Sequence, residues 1–455
     1  MIYAGPQKAS YHAQAGDLDV WRETIAAKAS GNHVLLFALS CAFAAPLLRP
    51  LGGEGGGFHF RGNAGGGKTT ALIAAGSVWG GGGNQGFVQT WSNTGNAVES
   101  IAHAHNDGLM CFDEIKTVGA DAAGDVVYRL ATGQMKGRQN SNSDLRARVS
   151  WTVLVLSNGE MSLADLMRSG KNRERVYAGQ ELRLIDVDVE IQRVNGHGSA
   201  WQAIHGAISH GKFSDGLKEN ALQHYGWAGP VFIKRLVDQR PEMLKAADEL
   251  RRAFVADVTE IGDTGQICRG AERFALVAAA GELAALLDVV PWRSGEASAA
   301  AAFLFKRWAQ AFGRKQSRED FEAIREVREF LERYEHSRFR WLKPGMTEEE
   351  ALVEEEQDGG KPRQGEARSL DLAGWKSIMD GKGLVFHFNP EFWKRQMFLG
   401  IGTAAATKAI KSAGFLVSDK EPGRLTHKVR VPGGPTRPFY SVAAKILEGA
   451  VDGDD

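Results

Sequence analysis

The sequence predicts an α/β protein: a parallel five-stranded sheet with flanking helices, then an α-helical region and a C-terminal winged-helix-like domain. Three observations predict it. A glycine-rich loop sits between a short alternating strand and an alanine-rich helix, an apolar run closes on two acids, and strand-like and helix-like stretches alternate from residue 55 to residue 190.

Composition narrows the class first. With 455 residues, 43% of them hydrophobic, the chain is long enough for about two or three folded domains. The best candidate for a membrane span, "HVLLFALSCAFAAPLL" (33–48), is too short and is ended by Pro46 and Arg49, so it reads as a buried helix. Cys41, Cys111 and Cys268 lack metal-ligand spacing, and a cytoplasmic protein is expected. Formal net charge is zero, so any nucleic-acid contact has to come from local basic patches. The 55 glycines concentrate between Gly52 and Gly83, the first sign of a site.

The elements follow in order. "GFHFR" (57–61) alternates as a strand, and "KTTALIAAGSVW" (68–79) has helical spacing. Between them "GNAGGGKT" fits G-x-x-x-x-G-K-[ST], in which glycines turn backbone N–H groups toward phosphates at a helix N-terminus. Gly62, Asn63, Ala64, Gly65, Gly66, Gly67, Lys68, Thr69 and Thr70 are therefore the candidate nucleotide contacts. Lys68 is expected to reach the β and γ phosphates, and Thr69 to coordinate Mg2+. "GFVQT" and "GNAVESIAHAH" read as the next strand and helix, and "GLMCFDE" as a buried strand delivering carboxylates. Asp113 is placed on the metal and Glu114 on the attacking water, with ATP as the expected nucleotide. "DAAGDVVYRLAT" reads as a helix, "SWTVLVLSN" as the fourth strand, 162–175 as a helix and "ELRLIDVDV" as the fifth strand. Ser157 and Asn158, ending the fourth strand, are candidates for orienting water, with a plain turn as the alternative.

This order resembles the ASCE branch of P-loop ATPases, and within it AAA+ and superfamily 3 helicase cores. The resemblance implies catalysis between subunits of a ring, a hexamer, with an arginine supplied by the neighbour. Arg183 is the first candidate, with Arg175 and Arg173 behind it. A closer resemblance rests on "GNHVLLFALSCAFAAPLL", "GKTTALIAAGSVWG", "TWSNTGNAVESIAHAHNDGLMCFDE", "VVYRLATGQMKGRQ", "LSNGEMSLADL", "AGQELRLIDV" and "AERFALVAAAGELAALL", from Gly31 to Phe339. These phrases are similar to the family called domain of unknown function 927, of bacterial and phage replication proteins. It implies a helicase-like ATPase. Little sequence precedes Gly31, so priming is expected of a primase partner.

Two basic places stand out. "QMKGRQNSNSDLRAR" carries Lys136, Arg138, Arg146 and Arg148 where ring helicases resembling this core project a hairpin onto single-stranded DNA. Beyond an acidic linker (342–369), "NPEFWKRQMF" and "TAAATKAIKSAGFL" read as helices and "LVSDKEPGRLTHKVRVPG" as two strands around a turn. Lys408, Lys411, Arg424 and Lys428, with Lys394, Arg395 and Arg430, are candidate phosphate contacts there. The expected domains are 1–54, the core 55–190, a helical region 191–341, the linker, and 370–447. Arg269 and Arg273, at i and i+4 on a helix, are candidate nucleotide sensors. The leading expectation is an oligomeric ATP-driven DNA translocase of phage, plasmid or mobile-element replication. Its alternative is an ATP-controlled DNA-binding or primase-recruiting assembly factor that does not unwind.

Overall fold

A computed structural model describes residues 11–81, 86–92, 95–135, 150–170, 178–194, 196–314, 318–342, 372–398, 402–419, 424–432 and 434–448. The chain divides into two compact units, Met1–Arg314 and Lys315–Asp455.

The first unit is built on the expected parallel sheet. Its strands are β1 (Gly56–Arg61), β2 (Val88–Thr90), β3 (Gly108–Asp113), β4 (Val153–Gly159) and β5 (Leu184–Asp188), in spatial order β2-β3-β4-β1-β5. Every pairing is parallel, so all five strands end at one edge. That edge is where the chain turns from β1 into the glycine loop and from β3 into its acids. The helices between strands are α2 (Lys68–Ser77), α3 (Gly95–Ala104), α4 (Ala120–Thr132) and α5 (Leu163–Arg168), preceded in the chain by α1 (His33–Ala44).

The apolar run at 33–48 is α1, and eleven of its twelve residues are buried. A helix apolar on every side needs protein on every side. It packs between α2 and two later helices, α9 (Gly265–Leu286) and α10 (Glu296–Phe312), which follow α6 (His210–Gln223), α7 (Ala228–Asp238) and α8 (Arg240–Val258). Phe37 meets Phe58 of β1 edge to face at 4.9 Å and Phe274 of α9 at 5.3 Å. Gly281 lets Ser40 approach closely, since a Cβ there would sit 2.3 Å from its Oγ. Among the described residues no helix is long and apolar enough to cross a membrane.

The sequence reading missed a hairpin directly after β5, formed by β6 (Gln192–Val194) and β7 (His197–Ser199). Its signal was present, because Asn195-Gly196 is a turn dipeptide that favours two-residue hairpins.

The second unit holds α11 (Arg318–Tyr334), which the sequence had grouped with the helical region ending at residue 341. It also holds β8 (Phe339–Trp341), β9 (Gly374–Met379) and β10 (Gly383–Phe388), then helical turns at 390–397, and α12 (Thr403–Ser412). The final strands are β11 (Leu416–Val417), β12 (His427–Arg430) and β13 (Thr436–Ala443). The sheet runs β11-β13-β10-β9-β8, with β12 also on β13. One expectation is corrected here: among the described residues β11 and β12 each pair with β13, and their two segments meet each other where the Asp419 N–H donates to the Thr426 carbonyl at 3.3 Å. The β9–β10 hairpin around Asp380-Gly381 went unread, although its flanks alternate as strands.

Because Phe37 ties α1 to both sheet and helical region, Phe37→Ala is expected to lower the stability of the first unit by about 3–5 kcal/mol, measured by urea unfolding.

Candidate functional site

The site forms where β1 turns into α2. Asn63, Ala64 and Gly65 form an exposed crest, while Gly66 and Lys68 are buried beneath it. Gly67 has φ +98, and a Cβ on it would lie 2.6 Å from the Trp201 ring, so only glycine suits both the turn and the packing. The segment after the β6–β7 hairpin backs this loop, with Ala200 N–H donating to the Gly66 carbonyl at 2.9 Å. Lys68 Nζ donates to the loop's own carbonyls, Gly62 at 2.7 Å and Asn63 at 2.6 Å. Burial lowers its pKa, opposed by the carboxylates of Glu160, Glu114, Glu190 and Asp113.

The acids of β3 arrive next to this loop. Thr69 Oγ1 donates to Asp113 Oδ1 at 3.2 Å. Asn158, at the end of β4, ties the group together: its Nδ2 donates to Asp113 Oδ1 at 2.7 Å and to Thr69 Oγ1 at 3.1 Å, while its Oδ1 accepts the Glu114 N–H at 2.8 Å. Glu114 is held at φ 58, a left-handed conformation that costs a non-glycine residue about 1–3 kcal/mol. The Asn158 amide therefore fixes both the first acid's carboxylate and the second acid's backbone.

Ser157 and Thr70 are not brought to this group. Ser157 is fully buried and accepts the Trp91 Nε1–H at 2.8 Å, with its hydroxyl 3.0 Å from His59 Nδ1. His59 Nε2 lies 2.9 Å from the Met161 carbonyl, which can only accept, so Nε2 carries the proton and Nδ1 receives the serine's. Burial first, with the charges of Arg61 and Lys68, lowers the His59 pKa to about 4 and keeps the ring neutral. Successive residues of a strand face opposite sides, so Asn158 reaches the site and Ser157 the core. Thr70 is buried within α2.

The arginines fall elsewhere. Arg183 precedes β5, where its carbonyl accepts the N–H of Gly57 at the start of β1, the opposite edge from the glycine loop. Five strand residues separate the two edges, about 16 Å at strand rise, so Arg183 does not serve its own subunit's loop. Its guanidinium stacks over Tyr128 at 4.5 Å and donates to the Gly179 carbonyl at 2.6 Å. Arg273 donates to the Gly55 carbonyl at that same far edge, away from this loop, and Arg269 is exposed. Arg173 and Arg175 lie outside the described residues, as do Lys136, Arg138, Arg146 and Arg148.

In the second unit Lys408, Lys428 and Arg430 are exposed, as are Lys394 and Arg395. Lys411 Nζ donates to the Arg424 carbonyl, and Arg424 faces Asp419 at 3.8 Å.

The rim between β1 and β5 carries Arg61, which pairs with Asp186 at 2.9 Å and Asp188 at 3.1 Å. Burial nevertheless raises the Asp186 pKa to about 6 against the pull of Arg61.

Residues 1–150 match the DUF927 family, described as a domain of unknown function. The match takes in the glycine loop and the acidic strand and stops short of β4, so the resemblance read from the sequence holds over that part. The solved structure described as "SCCmec type IV Cch - active helicase" shares the fold, with a TM-score of 0.63, 17% identity, and coverage of 98% of this chain and 75% of that chain. At that identity the likeness is one of fold. No curated protein matches the chain significantly.

Two outcomes follow from these contacts. Ser157→Ala leaves a buried indole N–H and an imidazole nitrogen without partners, so it is expected to lower stability by about 1–3 kcal/mol in urea unfolding. Asp186 has a folded pKa above its ordinary 3.8, so the stability it contributes is present below pH 3.8 and lost as pH rises through about 6. Unfolding titrations should show Asp186→Asn gaining on the wild type steadily between those two pH values, and a pH-independent difference would refute the assignment.

Proposed function

We propose that this chain is an oligomeric ATP-dependent DNA helicase or translocase of mobile-element or phage replication, hydrolysing ATP between subunits. The observation that carries the reading is the Asn158 amide bound at once to Thr69, Asp113 and the backbone of Glu114, beside Lys68. The DUF927 match and the fold shared with a helicase support it.

The residues present suit a magnesium–nucleotide substrate. Gly65 and Gly67 have positive φ, the loop crest is open, and two hard oxygen donors, Thr69 Oγ1 and Asp113 Oδ1, converge at 3.2 Å. Thr69 and Asp113 would hold Mg2+, whose chemistry there is to neutralise phosphate charge. Lys68 exchanges the Gly62 and Asn63 carbonyls for the β and γ phosphates. Glu114 accepts the proton of the attacking water, held in place by the Asn158 contact to its backbone. Asn158 thus acts as the orienting residue that the sequence offered as one of a pair. Arg183, too far from its own subunit's loop, acts in the neighbour's site in a ring, with Arg175 the second candidate.

Single-stranded DNA is gripped by Lys136, Arg138, Arg146 and Arg148, and by Lys408, Lys411, Arg424 and Lys428 in a winged-helix-like second unit. A primase partner supplies priming. The ring is a hexamer, and the cytoplasm is its compartment.

ATP hydrolysis with and without single-stranded DNA tests the reading. Lys68→Ala should lose nucleotide binding and hydrolysis together, whereas Glu114→Gln should keep binding and lose hydrolysis by about a hundredfold or more. DNA stimulation that falls with salt is expected of the wild type. Hydrolysis indifferent to DNA would point instead to the assembly-factor reading.

A further inference from the structure

One charged residue at the glycine loop belongs to neither motif. Glu190, two residues beyond β5, accepts the Asn63 N–H with its Oε1. The carbonyls of Gly62 and Asn63 accept from Lys68 Nζ. The loop's entry is therefore held from both sides, by a carboxylate on its donor and by an ammonium on its acceptors.

Glu190 is itself held in place. A Cβ on Gly198 would lie 2.2 Å from its Cδ, and one on Gly62 would lie 3.1 Å from its Cγ, so two glycines make room for its side chain. Its N–H donates to Asp188 Oδ1 at 2.9 Å, and its carbonyl accepts from Arg307 Nη2 of α10 at 3.4 Å. The hairpin that follows is anchored to the same loop through Ala200 and Trp201.

These contacts imply opposed effects. When Lys68 turns to a phosphate, the Gly62–Asn63 entry loses the ammonium and keeps Glu190. The same carboxylate also sets a negative charge beside the incoming phosphates.

We propose that Glu190 is a positioning residue of the phosphate loop, holding its entry in register for the nucleotide while its charge weakens nucleotide binding. The proposal rests on the nucleotide-site reading above.

Two substitutions in the full chain separate the effects. E190Q keeps an acceptor oxygen and removes the charge, whereas E190A removes both. The measurements are equilibrium binding of a non-hydrolysable ATP analogue with magnesium, and steady-state kcat and KM, with thermal unfolding as a check of folding. E190Q is expected to bind about threefold tighter, with a matching fall in KM. E190A is expected to bind about tenfold weaker and to raise KM accordingly.

Equal shifts in the two variants, or none in either, would overturn the proposal. If E190A does not fold, E190Q decides alone, and binding equal to or weaker than wild type overturns it. A wild type that binds no nucleotide, indistinguishable from Lys68→Ala, would overturn the site reading and this proposal with it. That outcome is distinct from a wild type that binds while Glu190 proves inert.

Discussion

The candidate site depends on one side-chain amide. Asn158 has a single acceptor and a single donor group, and both are spent on the neighbouring strand and on the helix after the loop. Its oxygen takes the backbone N–H of Glu114, and its nitrogen serves Asp113 and Thr69. Glu114 sits in a left-handed conformation that its own chain does not favour, and the Asn158 oxygen offsets part of that strain. Without the amide, the acidic strand and the helix after the loop would lose their shared partner on β4 and keep the direct contact of Thr69 with Asp113.

The amide is fixed because β4 is fixed. That strand lies between β3 and β1, and all seven of its residues are buried. One position before Asn158, Ser157 closes a one-way chain of donors from Trp91 through His59 to Met161. Burial keeps His59 neutral, so this chain carries no net charge and every nitrogen and hydroxyl in it is matched. The parity of β4 thus divides two adjacent polar residues between structure and site. The network beneath holds the strand on which the amide above depends.

That division explains what was legible in the sequence. The loop from Gly62 to Thr69 and the pair Asp113 and Glu114 are contiguous motifs, so their spacing could be read directly. The five parallel strands were legible for the same reason, each bounded by turns and separated by helical spacing. Ser157 and Asn158 could not be told apart, because a strand buried on both faces has no polar alternation to reveal its parity. Glu190 was invisible at a separation of 127 residues from Asn63, where only the folded hairpin brings a carboxylate to a loop N–H. Arg273 falls at the far edge of the sheet because helical spacing gives a face of a helix and not the end of the sheet it meets. In the second unit, the strand pairing was misread because β13, the common partner of β11 and β12, lies beyond the segment that looked like a hairpin.

The charges at the rim differ in how they are held. Arg61 is committed to Asp186 and Asp188, Lys116 to Glu160 at 2.7 Å, and Arg307 to the carbonyl of Glu190. Lys68, which donates to two loop carbonyls, can change partners without breaking an ion pair. Around it stand Asp113, Glu114, Glu160 and Glu190. On the proposed reading, a site this rich in carboxylate favours a phosphate that arrives with its own cation, and the growing charge of phosphoryl transfer calls for a further donor. On that same reading the donor comes from a second copy of the chain, which makes assembly a condition of turnover. Arg183 is held over Tyr128 at the far edge of the sheet, away from its own loop, and on the proposed reading it is the residue that serves the neighbour.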